Sequence, residues 1–228
     1  MFKPPLDFSI FVRRLNETDG PAVSALRQTA YKDAGYVLSP SYKMNWGPSD
    51  RRFVVLGAFW GEELISTLRI ETLETEDDMK TYVQGSRVDF GVSLPCISIS
   101  RAATQGSYRK MGCWRVLRGL AIAWATQNHF EFTVSAFLES TPLKSLSERA
   151  GYQVFDAPPW EDFIKSSGPT LRARLNLRSQ GQFAAAFFLE SSRLFPKNFL
   201  VDQSSLNLDL NPFINHLNQN GPDEFRSY

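Results

Sequence analysis

The segment Ser98–Ala125, SISRAATQGSYRKMGCWRVLRGLAIAWA, contains the pattern that decides the fold. It reads as a buried strand, then a basic turn containing glycine, then a helix over Arg109–Gln127. The predicted buried face of this helix comprises Trp114, Leu117, Leu120, Ala121 and Trp124. The first N–H groups of a helix have no partner within the helix, so a basic turn at this point predicts a phosphate site.

Strands and helices are also predicted on the N-terminal side of this segment. Phe8–Arg14 is typical of an edge strand, and the helix that follows begins near the cap-type residues NETDG. RFVVLGAFWGEELISTLRIETL predicts a β-hairpin, and the acidic stretch ETEDDMK after it predicts a solvated connection. Between these elements lies the loop-like stretch SPSYKMNWGPSD, which contains Tyr42, Met44 and Trp46.

The C-terminal side predicts a strand in FEFTVSAFLES, a short helix, two strands in GYQVFDAPPW and TLRARLNL, and a helix in QFAAAFFLESSRLF. These elements predict an α/β (α+β) fold with a single mixed central β-sheet flanked by helices and a C-terminal helical extension. We expect one domain over residues 1–203. A polar tail over residues 204–228 is expected to pack loosely or to move.

Composition excludes several classes of function. The chain has 228 residues with 25 Lys and Arg against 24 Asp and Glu, so bulk attraction to nucleic acid is not expected. Cys96, Cys113, His129 and His216 show no metal-ligand spacing, so we expect no metal. No apolar run reaches the roughly 18 residues of a membrane span, and no signal-peptide pattern opens the sequence. We expect no integral membrane segment and a cytoplasmic location.

The element order and two motifs resemble the GCN5-related N-acyltransferase superfamily over residues 8–178. YRKMGCW is similar to the family's phosphate turn of Gln or Arg, two residues, Gly, one residue, then Gly or Ala. Arg109 and Gly112 match this turn, and Trp114 does not. LSERAGY is similar to the family's LYEKLGF further along the chain. The resemblance implies a donor-binding site formed by Ser100, Arg101, Ala102, Arg109, Lys110, Met111, Gly112, Cys113 and Trp114.

Within the superfamily, the chain looks most like the long-chain N-acyl amino acid synthases and the acyl-homoserine-lactone synthases. Thr67, Arg69, Ser100 and Arg101 match segments that these enzymes typically carry. The resemblance implies transfer of a medium to long acyl chain from acyl-CoA or a phosphopantetheine-linked thioester to a small amine or amino acid. It also implies acyl carrier protein as a partner.

An acidic carrier protein would need a basic surface. The candidate basic cluster is Arg101, Arg109, Lys110, Arg115 and Arg118. The alternative for Arg115 and Arg118 is a solvated helix face. If Trp114 faces the sheet, it is a core residue; an indole near the turn also favours a slim phosphopantetheine over the bulkier coenzyme A. The aromatic residues around Met44 and in QFAAAFFLE can line an acyl tunnel or simply form core.

The sequence departs from the family at both customary proton-transfer positions. Ser98 stands where the family has a glutamate base, and Ser147 stands where it has a tyrosine acid. A serine hydroxyl cannot do either task near neutral pH without a partner. The candidate catalytic residues are therefore Glu71, Ser98, Ser147 and Tyr152.

Glu71 would be the substitute base, directly or through water, and Tyr108, Tyr152 or Cys113 the substitute acid. We expect His129 to lie remote from the turn as a surface or hydrogen-bonded histidine. Two other functions stay open: a degenerate module that binds a thioester or a partner without turnover, and a short-chain acetyltransferase.

Overall fold

The computed structural model describes residues 8–34, 37–38, 44–82, 90–138, 143–157, 164–165, 170–192 and 195–215. The strands are β1 (Ile10–Arg14), β2 (Val37–Leu38), β3 (Val54–Trp60), β4 (Glu63–Leu73), β5 (Cys96–Thr104), β6 (Phe132–Leu138), β7 (Gln153–Ala157), β8 (Ile164–Lys165), β9 (Thr170–Asn176) and β10 (Phe199–Val201). The α-helices are α1 (Gly20–Asp33), α2 (Pro48–Arg52), α3 (Glu76–Tyr82), α4 (Cys113–Gln127), α5 (Leu143–Arg149), α6 (Leu177–Ser191) and α7 (Gln203–Leu206).

The main sheet has eight strands in the order β10, β1, β3, β4, β5, β6, β9, β7. β1 is parallel to β10 and β5 is parallel to β6, whereas the other neighbours are antiparallel. β2 and β8 form a separate antiparallel pair. The predicted fold class, a single mixed central sheet flanked by helices with a C-terminal helical extension, is confirmed.

The two faces of the sheet are covered by different helices. α4 and α6 cover one face, where they share a hydrophobic core with Leu68, Ile70, Ile97 and Ile99 of β4 and β5. α1 covers part of the other face, against residues of β3, β4 and β5. Side chains alternate along a strand, so Arg69, Glu71, Ser98 and Ser100 point away from the first core. We call the two sides the α4 face and the α1 face.

α6 packs closely on α4 because a glycine lies between them. A Cβ atom added to Gly119 would lie 2.8 Å from Leu189 Cγ and 3.1 Å from the Ala185 carbonyl oxygen. The apolar stretch Ala184–Leu189 of α6 is fully or almost fully buried in the core. This stretch is therefore ordinary core, which is one of the two uses that its sequence suggested.

The structure corrects three expectations. β1 is not an edge strand, because β10 pairs with it on the side away from β3. The acidic stretch after the hairpin contains α3 rather than only a connection. The beginning of the predicted loose tail is buried, since Leu206, Leu208, Leu210 and Phe213 join the core on the α4 face. None of the helices in the described ranges has the length and apolar character needed to cross a membrane.

Candidate active site

β5 and β6 separate close to where they begin. Ile97 pairs with Thr133 and Ser98 pairs with Val134 in the parallel β5–β6 register, although both strands continue for several residues. The described parts of the strands beyond these pairs are not bonded to each other. The two strands therefore open into a wedge at the carboxyl end of β5, where ligands bind in open α/β sheets.

A β-bulge lies on β5 beside this opening. Thr67 of β4 pairs with Ala103, but Arg69 pairs with Ser100, so Leu68 faces both Arg101 and Ala102. Arg101 has a positive φ of 49°, which is uncommon for a residue with a side chain. Bulges and such backbone conformations occur often beside active sites, where they redirect backbone and side-chain groups.

Arg69, Glu71 and Ser100 form a hydrogen-bonded group on the α1 face next to the bulge. Arg69 Nη2 donates to Glu71 Oε2 over 2.8 Å, and Arg69 Nε donates to Ser100 Oγ over 3.3 Å. The side chain of Glu71 is 19% exposed, whereas that of Arg69 is only 7% exposed. Glu71 thus presents a carboxylate at the edge of a buried polar group, where a proton acceptor can meet a ligand.

A second ion pair, which is fully buried, lies next to this group and contacts Arg69. Arg27 of α1 donates to Asp50 of α2 over 2.8 Å, with side-chain exposures of 0% and 2%. Asp50 also lies 3.7 Å from Arg69 Nη1. Arg27 Nε and Nη1 have no hydrogen-bond partner in the described part of the chain. We call Arg27, Asp50, Arg69, Glu71 and Ser100 the arginine–carboxylate cluster.

Charged neighbours act on the buried guanidinium of Arg69 in both directions. Burial lowers the pKa of Arg69, with Glu71 and Asp50 acting to raise it and Arg101 and Arg27 acting to lower it. Within the arginine–carboxylate cluster, two guanidinium groups face two carboxylates, and Arg101 lies beside them at the bulge. Buried charges are stable only when they are paired, and the cluster pairs its charges next to the bulge.

The sequence prediction missed Arg27 and Asp50. Arg27 follows Leu26 on the buried side of α1, which also includes Val23 and Ala30. An arginine within an apolar helix stripe was the available signal, since charged residues are almost never fully buried unless paired. Asp50 gave a weaker signal, because an acidic residue three positions after Gly47 is also expected at a helix start.

Ser98 lies on the α1 face directly opposite Glu71 in the β4–β5 register. It is fully buried, and its Oγ makes no hydrogen bond of ordinary length and angle with a described residue. Burial raises the pKa of nearby Tyr82 to about 12, and weak hydrogen bonding to Ser98 and the charge of Arg172 partly oppose this rise. Glu71 and Ser98 were both predicted as catalytic residues. Of the two, only Glu71 offers a partly exposed carboxylate, and Ser98 is a buried residue beside it.

The predicted phosphate turn precedes α4 as expected, although the helix begins at Cys113 rather than at Arg109. Gly112 is the N-cap residue with φ 81°, and no side chain caps the helix. Arg109 and Lys110 are exposed beside it, and Met111 and Cys113 are buried. The uncapped helix start with two adjacent cations matches the chemistry of an anion site.

Close packing is a second reason why position 112 needs glycine, and the sequence did not reveal it. A Cβ atom at this position would lie 2.8 Å from both Cβ and the carbonyl oxygen of Ser192, just after α6. Arg115 also donates to the carbonyl oxygen of Ser191. The end of α6 therefore packs against the turn, and glycine is needed there even without a ligand.

Trp114 is turned toward α6. Its ring meets Phe188 edge-on with the centroids 5.8 Å apart, and the guanidinium of Arg118 lies 5.4 Å from the indole. The expectation that Trp114 belongs to the buried side of the helix agrees with this position. An indole in this place gives no steric reason to prefer phosphopantetheine over coenzyme A.

The predicted basic cluster does not form one surface. Arg118 is 4% exposed and is buried on the α4 face, so it is neither part of a docking surface nor part of a solvated one. Arg101 lies at the bulge, where its Nη1 is 3.6 Å from Met44 Sδ. Arg109 and Lys110 are exposed, whereas Arg115 is half-buried. Tyr42, from the loop that holds Met44, lies outside the described residues.

The candidate general acids lie away from Glu71. Ser147 and Tyr152 are buried at the end of α5 and just after it; neither hydroxyl makes a hydrogen bond of ordinary length and angle with a described residue, and Tyr152 lies close to Arg118 and Thr133. Tyr108 donates to Glu63 over 2.9 Å. Burial raises the pKa of Cys113 to about 12, so this thiol stays neutral.

His129 is exposed, and the described residues contain no group of His, Cys, Asp or Glu that could hold a metal ion.

The mixed sheet, the opening between β5 and β6, the bulge and the glycine turn before α4 together form the N-acyltransferase fold. Solved structures with this fold include FeeM, an N-acyl amino acid synthase from uncultured soil microbes. FeeM is 17% identical, with a TM-score of 0.56 over 75% of this chain and 94% of that chain. The coenzyme A-dependent acyl-homoserine lactone synthase BjaI is 13% identical, with a TM-score of 0.56 over 93% and 99%.

A third structural neighbour is an N-acetyltransferase from Staphylococcus aureus Mu50. It is 15% identical, with a TM-score of 0.56 over 74% of this chain and 98% of that chain. FeeM and BjaI are of the two kinds of enzyme that the sequence motifs resemble. No family model matches the sequence, and no curated protein matches it. At these identities, the structural likeness establishes the fold.

Proposed function

We propose that the protein is an N-acyltransferase that moves an acyl group from a thioester to the amino group of a small acceptor carrying a carboxylate, such as an amino acid. The observation that carries the proposal is the wedge between β5 and β6, which opens beside a bulge and leads directly to an uncapped helix start. The phosphate of a phosphopantetheine arm would bind at Gly112 with Arg109 and Lys110, which lets the arm lie along β5 toward the bulge.

The acceptor side of the site would be the arginine–carboxylate cluster. Arg69 and Arg101 are the cations nearest the bulge, and a guanidinium group there would hold the carboxylate of an amino acid. Glu71 would accept the proton of the acceptor's ammonium group, directly or through one water. The neutral amine then attacks the thioester carbon, and a C–N bond replaces the C–S bond.

The remaining charges of the reaction need two further partners. Backbone N–H groups of the bulged strand around Ser100 would stabilise the oxyanion of the tetrahedral intermediate. As the amide forms, the nitrogen gives up its second proton, which would reach the leaving thiolate through water, because Ser147 has replaced the tyrosine of the family and Tyr108 is bonded to Glu63. The medium to long chain implied by the sequence resemblance, and the choice between carrier protein and coenzyme A, are part of the proposal to be measured.

The experiment measures thiol release and acylated product with amino acids as acceptors. Donors are acetyl, octanoyl and palmitoyl thioesters, each on coenzyme A and on acyl carrier protein. Glu71→Gln should lower kcat/KM by about 10²- to 10⁴-fold, as expected for loss of a general base. The matched control is Glu63→Gln at the other end of β4, which should retain activity within about twofold because Glu63 lies outside the wedge.

A second candidate function, a binding module without turnover, is favoured by the serines at positions 98 and 147. Binding of an acyl thioester without thiol release from any donor would establish the module and exclude the enzyme. A clear preference for acetyl thioesters would instead identify a short-chain acetyltransferase.

A further inference from the structure

A buried cation on the α4 face has no counter-ion among the residues that the structure describes. Arg118 of α4 is 4% exposed, and its Nη2 donates to Ser135 Oγ of β6 over 3.1 Å. In the described part of the chain, no carboxylate lies within salt-bridge distance of this guanidinium. Arginine is almost never buried without a partner of opposite charge, so this arrangement calls for an explanation.

Aromatic rings surround the guanidinium and account for part of its stability. Its Cζ atom lies 4.8 Å from the ring centroid of Tyr152, 5.2 Å from that of Phe188 and 5.4 Å from that of Trp114. Ring faces attract a cation, but they accept no directed hydrogen bond from the guanidinium edge. The rings therefore hold the charge in place and leave its N–H groups available.

Several buried polar atoms around Arg118 lack partners. Arg118 Nε, Tyr152 Oη and Thr133 Oγ1 make no hydrogen bond of ordinary length and angle with any described residue. Burial raises the pKa of Tyr152, and the charge of Arg118 together with weak hydrogen bonding from Arg118 and Thr133 opposes this change, so the three groups lie close together. We call Arg118, Thr133, Ser135 and Tyr152 the Arg118 pocket. Native proteins seldom leave this many buried donors unsatisfied in one place.

The Arg118 pocket lies at the wedge. Val134 is the last residue of β6 that pairs with β5, and Ser135 is the first residue after the strands part. The arginine–carboxylate cluster lies on the α1 face of the same opening, and the Arg118 pocket lies on its α4 face. An acyl group attached to a thioester at the bulge would therefore have the acceptor on one side and Arg118 on the other.

We propose that the Arg118 pocket binds a carboxylate on the donor's acyl group, so that the donor is the thioester of a dicarboxylic acid. A carboxylate would neutralise the guanidinium and accept from its Nε and from the hydroxyls of Tyr152 and Thr133. An unsubstituted alkyl chain would leave the same donors unpaired. This inference rests on the proposed acyl transfer for its geometry, and it leaves the number of carbons between the thioester and the carboxylate to be measured.

The test uses thioethers, which bind like thioesters but cannot transfer an acyl group. Pairs of S-carboxyalkyl and S-alkyl phosphopantetheine of equal carbon number, with two to six methylene groups, are titrated calorimetrically. For the best length, the wild-type chain should bind the carboxyalkyl compound at least about tenfold more tightly. Arg118→Met should remove this preference while leaving binding of the alkyl compound within about threefold.

A second variant keeps the test decisive if Arg118→Met does not fold. Ser135→Ala keeps the guanidinium but removes the hydroxyl that accepts from Arg118 Nη2, so the preference should fall by several-fold. Equal binding of both compounds at every length, or binding of neither, would overturn the carboxylate site. Carboxylate-selective binding with no thiol release from the matching thioester would instead refute the proposed transfer and leave the Arg118 pocket intact.

Discussion

The arginine–carboxylate cluster and the Arg118 pocket lie on opposite faces of the opening between β5 and β6. They differ in whether their buried arginines have carboxylate partners. In the cluster, Arg27 and Arg69 contact Asp50 and Glu71, with exposures of the four side chains between 0% and 19%. In the pocket, three aromatic rings surround Arg118, and its Nη2 donates to the hydroxyl of Ser135. Most of the pairing is complete on the α1 face, whereas the cation on the α4 face has no anion beside it in the described ranges.

This difference indicates different roles: the arginine–carboxylate cluster positions secondary-structure elements, and the Arg118 pocket binds a ligand. A buried ion pair fixes the relative position of α1, α2 and β4, because removal of either partner leaves a charge without compensation. A buried cation with unused donors does not fix a neighbour in this way, and it favours the entry of an anion. The comparison predicts that charge removal will have a large effect on folding at Asp50 and a small one at Arg118.

The largest expected effect is the loss of Asp50. Asp50→Asn removes the carboxylate that neutralises Arg27, and it should lower the free energy of unfolding by about 3–5 kcal/mol in urea titrations. Arg27→Met together with Asp50→Leu should recover most of this loss, because no unpaired charge remains. The control is Glu17→Gln, whose partner Arg51 is 61% exposed; this change should leave the free energy of unfolding almost unchanged. A cost for Asp50→Asn as small as that of the control would contradict a positioning role.

Sequence patterns predicted most elements of the fold because their causes are local. The helix from Cys113 to Gln127 follows from apolar spacing, and the β3–β4 hairpin follows from two apolar runs joined by a short turn. Pairing between distant segments leaves no such trace. Phe199 pairs with Ile10, and Ser192 packs against Gly112, so neither the inner position of β1 nor the second need for glycine was predictable.

The residues of the candidate site also fall into those that local motifs predicted and those that contacts between distant segments bring together. Glu71, Ser100, Arg101 and Gly112 were found because motifs placed them next to the turn or on the hairpin. The Arg27–Asp50 pair spans 23 positions and two helices, and no motif connects them. Arg118 was placed in a basic cluster because its charge was counted and its position in the apolar stripe of α4 was not.

Two buried thiols provide a comparison in which both faces should behave alike. Burial raises the pKa of Cys96, on the α1 face, and of Cys113, on the α4 face, to about 12. An unfolded thiol ionises near pH 8.5, so the stability that each neutral thiol contributes is complete below that pH and is lost as the pH rises toward 12. Between pH 8.5 and 9.5, the free energy of unfolding should fall by about 1 kcal/mol per thiol.

The slope of stability against pH measures this contribution. Cys96→Ala and Cys113→Ala should each flatten the slope by a similar amount, whatever their effect on stability at pH 7. A slope that stays the same in the double variant would show that the thiols are not the groups that titrate. Unequal changes would show that the two faces differ in burial as well as in charge pairing.

The smallest expected effect is the loss of Arg118. Arg118→Met removes a buried cation that pairs with no carboxylate of the described residues, together with its contacts to Trp114, Tyr152 and Phe188. The lost cation–π attraction, about 2 kcal/mol, is opposed by the release of a desolvated charge, so the free energy of unfolding should stay within about 1 kcal/mol of the wild type. A methionine also fills the space of the arginine stem and contacts the same rings favourably. If Arg118→Met instead destabilises the chain as much as Asp50→Asn, Arg118 is a structural cation that the fold requires, and the contrast between the two faces of the opening disappears.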